Sequence, residues 1–151
     1  GEPMTDHVEI ERTFTTDPRR LFRAWTDPVE LAAWFAPTGW TVPAETVTID
    51  PRPGGVWRLT MAEDGGAGRV PVDAQLTEVV PGERLVGKES MDGPDGATEI
   101  TLDVTFGADP SGAKLVLRQG PFPTEELLAQ TAAGWGSSFE KLDTLVNPGE
   151  R

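Results

Sequence analysis

The sequence predicts an α+β protein in which one long C-terminal helix lies across an antiparallel sheet of about seven strands. Three observations support this fold class. Apolar residues recur at three- and four-residue steps near the C-terminus, residues 41–120 alternate with period two, and turn-forming clusters separate the alternating runs. Because strands joined by short loops pair antiparallel, and because only one sheet face is apolar, we expect the helix to cover that face.

The N-terminal part predicts a strand followed by two short helices. Residues 8–14 alternate, which places Arg12 on the same side as Ile10 and Phe14. Asp17-Pro18 and Asp27-Pro28 each set a capping residue before proline at the first helical position. This pattern predicts helices near residues 18–25 and 28–35. The segment Ala36-Pro37-Thr38-Gly39 ends the second helix.

Six further strands are predicted between residues 41 and 120, separated by segments rich in Pro, Gly and Asp. They span residues 41–50, 56–61, 70–80, 84–91, 98–106 and 113–119. Alternation predicts one inward apolar face that consists of Trp57, Leu59, Met61, Val72, Ala74, Leu76, Ile100, Leu102, Val104, Phe106, Leu115 and Leu117. Glu78 continues this series, so Glu78 and Arg12 are the two charged residues that we expect to face inward.

The long helix is predicted to run from residue 124 to residue 146. Thr124 is a suitable N-cap, two glutamates follow it at the positive end of the helix dipole, and Pro148-Gly149 ends the helix. Gly134 and Gly136 lie inside it, and each costs about 1 kcal/mol relative to alanine. We therefore expect another part of the chain to approach the helix backbone there. The apolar stripe of the helix consists of Leu128, Ala132, Trp135, Phe139, Leu142 and Val146.

Composition and charge exclude several classes of function. The 151 residues include 25 acidic and 13 basic side chains, so the formal net charge is −12. This charge opposes binding to nucleic acid and to anionic membrane surfaces. Without cysteine there is no disulfide or thiol nucleophile, and the single histidine, His7, lacks partners for a metal site or a catalytic triad. We therefore expect no metal and no cofactor.

The chain is expected to form one cytoplasmic domain over residues 7–146. No apolar run approaches the roughly 20 residues of a membrane span, and no signal peptide opens the chain. Residues 1–3, which precede Met4, are interpreted as a cloning remnant, and residues 147–151 as a C-terminal tail.

Motifs spread over residues 7–146 carry a family resemblance. They are Ile10-Glu11-Arg12-Thr13-Phe14, residues 20–28, Trp34-Phe35-Ala36-Pro37, residues 50–58, residues 78–86 and Gly134-Trp135. In this order they resemble the START-like (Bet v 1-like, SRPBCC) superfamily, in its branch of homologues of the Hsp90 ATPase activator. The resemblance implies a helix-grip fold: a seven-stranded antiparallel sheet wrapped around the C-terminal helix, with two short helices after the first strand and a hydrophobic cavity between helix and sheet.

The implied cavity leads to candidate ligand-binding residues. By resemblance, Trp34, Phe35 and Trp40 border its mouth, and an aromatic lining suits a hydrophobic or polycyclic ligand. The alternative for the tryptophans is core packing, and for the two inward charges it is an ion pair at the end of the sheet. The full candidate set is Trp34, Phe35, Trp40, Trp57, Met61, Leu76, Phe122, Ala132, Trp135, Phe139, Arg12 and Glu78, and no catalytic residue is nominated.

The first functional hypothesis is binding of a hydrophobic small molecule, such as a lipid or a polyketide-like natural product. The resemblance leaves three alternatives. One is antibiotic self-resistance by sequestration or by sacrifice of the protein itself. Another is a cofactor-free polyketide aromatase or cyclase, which requires an inward ionisable group such as Arg12 or Glu78. Hsp90 as a partner ranks last, because the chain lacks the additional N-terminal domain of the eukaryotic activators.

Overall fold

The computed structural model describes residues 6–94 and 96–148, apart from the side chains of residues 92 and 93. The expected cloning remnant and the last three residues of the expected tail lie outside this part of the chain. The strands are β1 (Val8–Phe14), β2 (Trp40–Thr41), β3 (Thr48–Ile49), β4 (Val56–Glu63), β5 (Arg69–Val80), β6 (Arg84–Gly93), β7 (Gly96–Asp109) and β8 (Gly112–Gly120). The helices are α1 (Pro18–Thr26), α2 (Pro28–Trp34) and α3 (Glu125–Val146), with a short 3-10 helix at Ala44–Thr46.

One curled antiparallel sheet forms the body of the fold, in the strand order β1-β8-β7-β6-β5-β4-β2, and β3 also pairs with β4. The strand predicted over residues 41–50 is interrupted, because Pro43 has no N–H to donate and precedes the 3-10 helix. Its two ends, β2 and β3, both pair with β4. Counted together as one edge strand, they complete the predicted seven-stranded sheet, and the helix-grip fold is confirmed.

The helix boundaries follow from local capping chemistry. Asp17 and Asp27 accept hydrogen bonds from backbone N–H groups in the first turns of α1 and α2. Thr124 accepts the N–H of Leu127 at 3.1 Å and caps α3. A β-carbon added at Gly134 would meet only Pro37, at 3.9 Å, and one added at Gly136 would meet nothing within 4 Å. The prediction that another segment closely approaches these glycines was therefore wrong.

A bulge in β5 exchanges the faces of that strand. Leu76 pairs with Gly87 of β6, but Glu78 pairs with Val86, so Thr77 is an extra residue. Glu78 therefore shares an outer cross-strand row with Val86 and Asp103, and Arg84 binds both carboxylates there, at 3.5 Å and 2.6 Å. The prediction that Glu78 faces inward was wrong, because strict alternation does not survive the bulge.

The core is densest beneath the C-terminal half of α3. Trp25, Trp34 and Phe139 are among its largest fully buried side chains, and the ring centroids of the two tryptophans lie 4.8 Å apart. By contrast, no residue from 125 to 134 is buried. The N-terminal half of α3 therefore stands over space that the core does not fill.

Candidate functional site

A groove of about 590 Å³ opens between the N-terminal half of α3 and the concave face of the sheet. Met61 of β4 and Val72 of β5 contribute to the sheet side, and Leu127, Thr131 and Gly134 contribute to the helix side. The first buried side chain of α3 is Trp135, so the part of the helix that precedes it leaves this region of the sheet incompletely covered.

A second, smaller cavity of about 40 Å³ lies deeper between helix and sheet, with Trp25, Trp57 and Leu76 in its wall. A space of this size is on the scale of a few water molecules. Its wall is held rigidly, since the indole N–H of Trp57 donates to the carbonyl oxygen of Trp25 at 2.9 Å. The residues that line both the cavity and the groove are Phe35, Val72, Glu89, Gln119 and Trp135. They mark the boundary between the two spaces.

Among the described residues, Glu89 is the only titratable side chain that lines either space. It lies on β6 opposite Ile100 of β7, and Leu85 and Gly87 precede it on the same inward face. Its carboxyl makes no hydrogen bond or ion pair within the described part of the chain. Burial, with a smaller contribution from the negative charge of Asp73, raises the pKa of Glu89 from 4.5 to about 7. This carboxyl can therefore exchange a proton near neutral pH.

Gln119 provides the second buried polar group of the site and is only 5% exposed. Its side-chain oxygen accepts the indole N–H of Trp135 at 2.8 Å. Because the indole can only donate, this bond fixes the amide orientation and leaves the amide NH₂ as a donor. That NH₂ group has no hydrogen-bond partner among the described residues. The boundary between the two spaces thus combines apolar side chains with the carboxyl of Glu89 and the amide donor of Gln119.

Trp25 adds an unsatisfied donor to the wall of the inner cavity. Its indole nitrogen is the only buried side-chain nitrogen or oxygen in the described residues without a hydrogen-bond partner. Leaving such a group unpaired is costly, and native proteins rarely do so.

The structure brings together part of the predicted site. Of the candidates, Phe35, Trp57, Met61, Leu76 and Trp135 line the groove or the inner cavity. The candidates that line neither are Trp34, Trp40, Phe122, Ala132, Phe139, Arg12 and Glu78. That the five lining residues contact a ligand remains a prediction.

Trp34 and Trp40 show why two of the aromatic candidates lie elsewhere. Trp34 is fully buried, and its indole N–H donates to the carbonyl oxygen of Ala24 at 2.8 Å, so it belongs to the α1–α2 core. Trp40 pairs with Glu63 at the sheet edge, and its ring lies beside Gly68. Trp34 therefore packs in the core and Trp40 packs at the sheet edge, and neither borders a cavity mouth as expected.

Arg12 extends from β1 toward α3 but not into either space. Its guanidinium binds the carboxylate of Glu140 at 2.8 Å and lies over the ring of Phe14, 5.5 Å from its centroid. Arg12 is therefore engaged in an ion pair at the rim of the sheet, which was the alternative interpretation of this residue.

Sequence reasoning missed Glu89, although a signal was present. Leu85, Gly87, Glu89 and Met91 alternate along β6 and point inward. The signal is ambiguous because Val86, on the outer face, is also apolar and is nearly as buried as Leu85. Two adjacent apolar residues leave the parity of the strand undecided.

Within the described residues, no three His, Cys, Asp or Glu side chains are grouped to hold a metal ion. None of the described helices is both long enough and apolar enough to cross a membrane.

A curled sheet that grips one long helix, with an open groove at their junction, defines the helix-grip class of proteins. The family described as Activator of Hsp90 ATPase homolog 1-like protein matches residues 15–147, and the chain belongs to this family.

Solved structures agree with this assignment. Protein CV1439 from Chromobacterium violaceum has a TM-score of 0.87 and 26% identity over 96% of this chain and 99% of its own. The AHSA1 protein from Silicibacter pomeroyi has a TM-score of 0.78 and 28% identity over 91% of this chain and 95% of its own. An AHSA1-like protein from Aeromonas hydrophila has a TM-score of 0.77 and 24% identity, over 95% of this chain and 93% of its own, and so supports the fold alone. Comparison with curated proteins gives no match.

Proposed function

We propose that the protein binds a hydrophobic small molecule in the groove between α3 and the sheet. The observation that carries this proposal is the groove itself, whose volume of about 590 Å³ falls within the range of small-molecule sites. Its lining is mainly apolar with a few convergent polar groups, which is the usual composition of such sites.

The aromatic groups at the boundary of the groove support an apolar and partly flat ligand. The rings of Phe35 and Trp135 meet edge to face, with centroids 5.5 Å apart and planes at 89°. They form a rigid corner, while Met61 and Met91 supply flexible, polarisable surface on the sheet side. Sequestration of a toxic natural product would use this same groove and the same contacts.

Gly134 offers a direct test, because it lines the groove while Gly136, two residues further along α3, is exposed and has open space beside it. We expect Gly134→Leu to fill the groove and weaken binding of a neutral hydrophobic dye such as Nile red by at least about tenfold. Gly136→Leu is the matched control, since it makes the same replacement in the same helix, and we expect it to bind like the unmodified protein. Equal, saturable binding by all three proteins would contradict the proposal.

A cyclase-type enzyme is the second candidate, and Glu89 is the observation that favours it. Neither Arg12 nor Glu78 lines the groove, so these two side chains, which the sequence suggested for proton transfer, are not placed to exchange a proton with a ligand there. The carboxylate of Glu89 could instead take a proton from a methylene carbon between two carbonyl groups of a poly-β-ketone. The resulting carbanion would form a carbon–carbon bond to another carbonyl of the chain, and Glu89 would return its proton to the alkoxide.

Glu89→Gln separates the two candidates. An enzyme would lose turnover of a poly-β-ketone substrate in this variant while it still binds the substrate. A protein that only binds would convert no substrate in either form.

A further inference from the structure

We propose that the groove selects hydrophobic molecules that carry a protonated amine, and that Glu89 pairs with that amine. This inference rests on the proposed binding function and adds the chemical class of the ligand.

The position of Glu89 is the first argument. The residue lies on β6, inside the sheet rather than on a loop, and it lines both the groove and the inner cavity. A ligand that follows the groove inward therefore reaches this carboxyl at the boundary between the two spaces. The half-buried carboxyl has no hydrogen-bond or ion-pair partner in the described residues, and a charge that is partly removed from water is stabilised by a counter-ion or hydrogen-bond donors.

The charges around Glu89 are the second argument. From β5, Asp73 adds a negative charge nearby, and its own ion-pair partner, Arg58, lies at 3.6 Å on the outer face. Within the part of the chain that the structure describes, the β7, β8, α3 and α1–α2 residues that line the two spaces are uncharged, and no Lys, Arg or His is among the lining residues. An anionic head group would therefore meet the carboxylate of Glu89 and no cation among the described lining residues. A cationic head group would meet the charge it requires.

The field of the whole chain acts in the same direction, because a formal net charge of −12 raises the local concentration of cations. Fatty acids and other hydrophobic anions are therefore disfavoured both by the long-range field of the chain and by the local charge of Glu89. The amide NH₂ of Gln119, at the same boundary, can donate to an oxygen atom elsewhere in the ligand.

The raised pKa of Glu89, about 7, gives the inference a pH signature. An alkylamine stays protonated below about pH 9, so Glu89 is the one group among the amine and the described lining residues whose ionisation changes between pH 6 and pH 8. The ionised fraction of the carboxyl rises about tenfold over this range, and the apparent affinity for the amine should rise by about the same factor. Affinity for an alcohol of equal length should stay nearly constant.

The test compares decylamine, decanol and decanoate, below their micelle concentrations, as competitors of Nile red. At pH 8 we expect decylamine to bind at least about tenfold more tightly than decanol, and decanoate to bind most weakly. In Glu89→Gln the amine should fall to the level of the alcohol and lose its pH dependence. Glu99→Gln is the matched control, because Glu99 lies on the neighbouring strand, is 68% exposed and forms an ion pair with Lys88 at 3.6 Å.

The outcomes separate this inference from the proposed function. Three results would overturn the role of Glu89 and leave the groove as a binding site. The first is equal binding of amine and alcohol by the unmodified protein. The others are an amine preference that survives in Glu89→Gln and one that is lost equally in Glu99→Gln. If none of the three compounds displaces the dye, and the dye binds equally to Gly134→Leu, the proposed function fails and the amine selectivity fails with it. Circular dichroism would show that each variant is folded.

Discussion

Replacing Glu89 with glutamine is expected to stabilise the protein, and to do so much more at pH 8 than at pH 5. The side chain lies in a mainly apolar site and has no partner among the described residues, so its charged form is disfavoured in the folded state. Glutamine has nearly the same shape and no charge. The variant therefore removes the ionisation of the group while it changes the packing very little.

The magnitude follows from linkage between protonation and folding. The pKa of Glu89 is about 7 in the folded protein against an ordinary 4.5, so the folded state holds this proton more tightly. The folded state therefore loses stability as pH rises from about 4.5 to about 7, and the loss is complete above that range. The resulting cost is about 3 kcal/mol at pH 8 and about 1 kcal/mol at pH 5. Glutamine should recover these amounts.

Urea denaturation at pH 5 and pH 8, followed by circular dichroism, measures the difference in the free energy of unfolding. The matched control is again Glu99→Gln, whose exposed ion pair should contribute less than about 1 kcal/mol at either pH. A gain in Glu89→Gln that is the same at both pH values, or no gain at pH 8, would refute the assignment of a perturbed carboxyl. An NMR titration of the Glu89 carboxyl carbon would report the same pKa directly.

Two further predictions concern residues outside the polar part of the site. Gly136→Ala should raise the free energy of unfolding by up to about 1 kcal/mol in a thermal or urea melt, because the position is helical, exposed and free of contacts. Glu78→Gln should leave Nile red affinity unchanged, since the bulge turns this residue to the outer face, and an effect as large as that of Gly134→Leu would show that the face assignment is wrong.

Local chemistry made the helices predictable from sequence. The capping side chains of Asp17, Asp27 and Thr124 bind backbone N–H groups three residues further along the chain. The residues that determine where each helix begins are therefore close together in the sequence. The strands were predictable for a similar reason, because their alternation and the turn residues between them are also short-range features.

The faces and the cavity depend on longer-range packing. Nothing in the residue types around Thr77 indicates a bulge, yet this extra residue turns Glu78 to the opposite face of the sheet. Trp34 and Trp57 are both buried tryptophans, but the first donates within the helix pair and the second borders the inner cavity. Residue type alone does not distinguish a core tryptophan from one in a cavity wall, because the difference lies in which neighbours leave space beside the ring.

The stability cost of Glu89 and its proposed function have one physical origin. The Glu89 carboxyl is partly desolvated and has no partner in the described part of the chain, so it destabilises the unliganded protein when it ionises. A cation that binds beside it stabilises that same ionised form, so binding recovers part of the energy that burial costs. An aliphatic residue on β6 would give a more stable fold and a groove that holds apolar molecules with little discrimination. Glutamine, as the test variant, would keep the hydrogen-bonding groups but lose the charge. Selectivity for an amine thus requires the destabilising group, which is the expected relation between stability and function at a binding site.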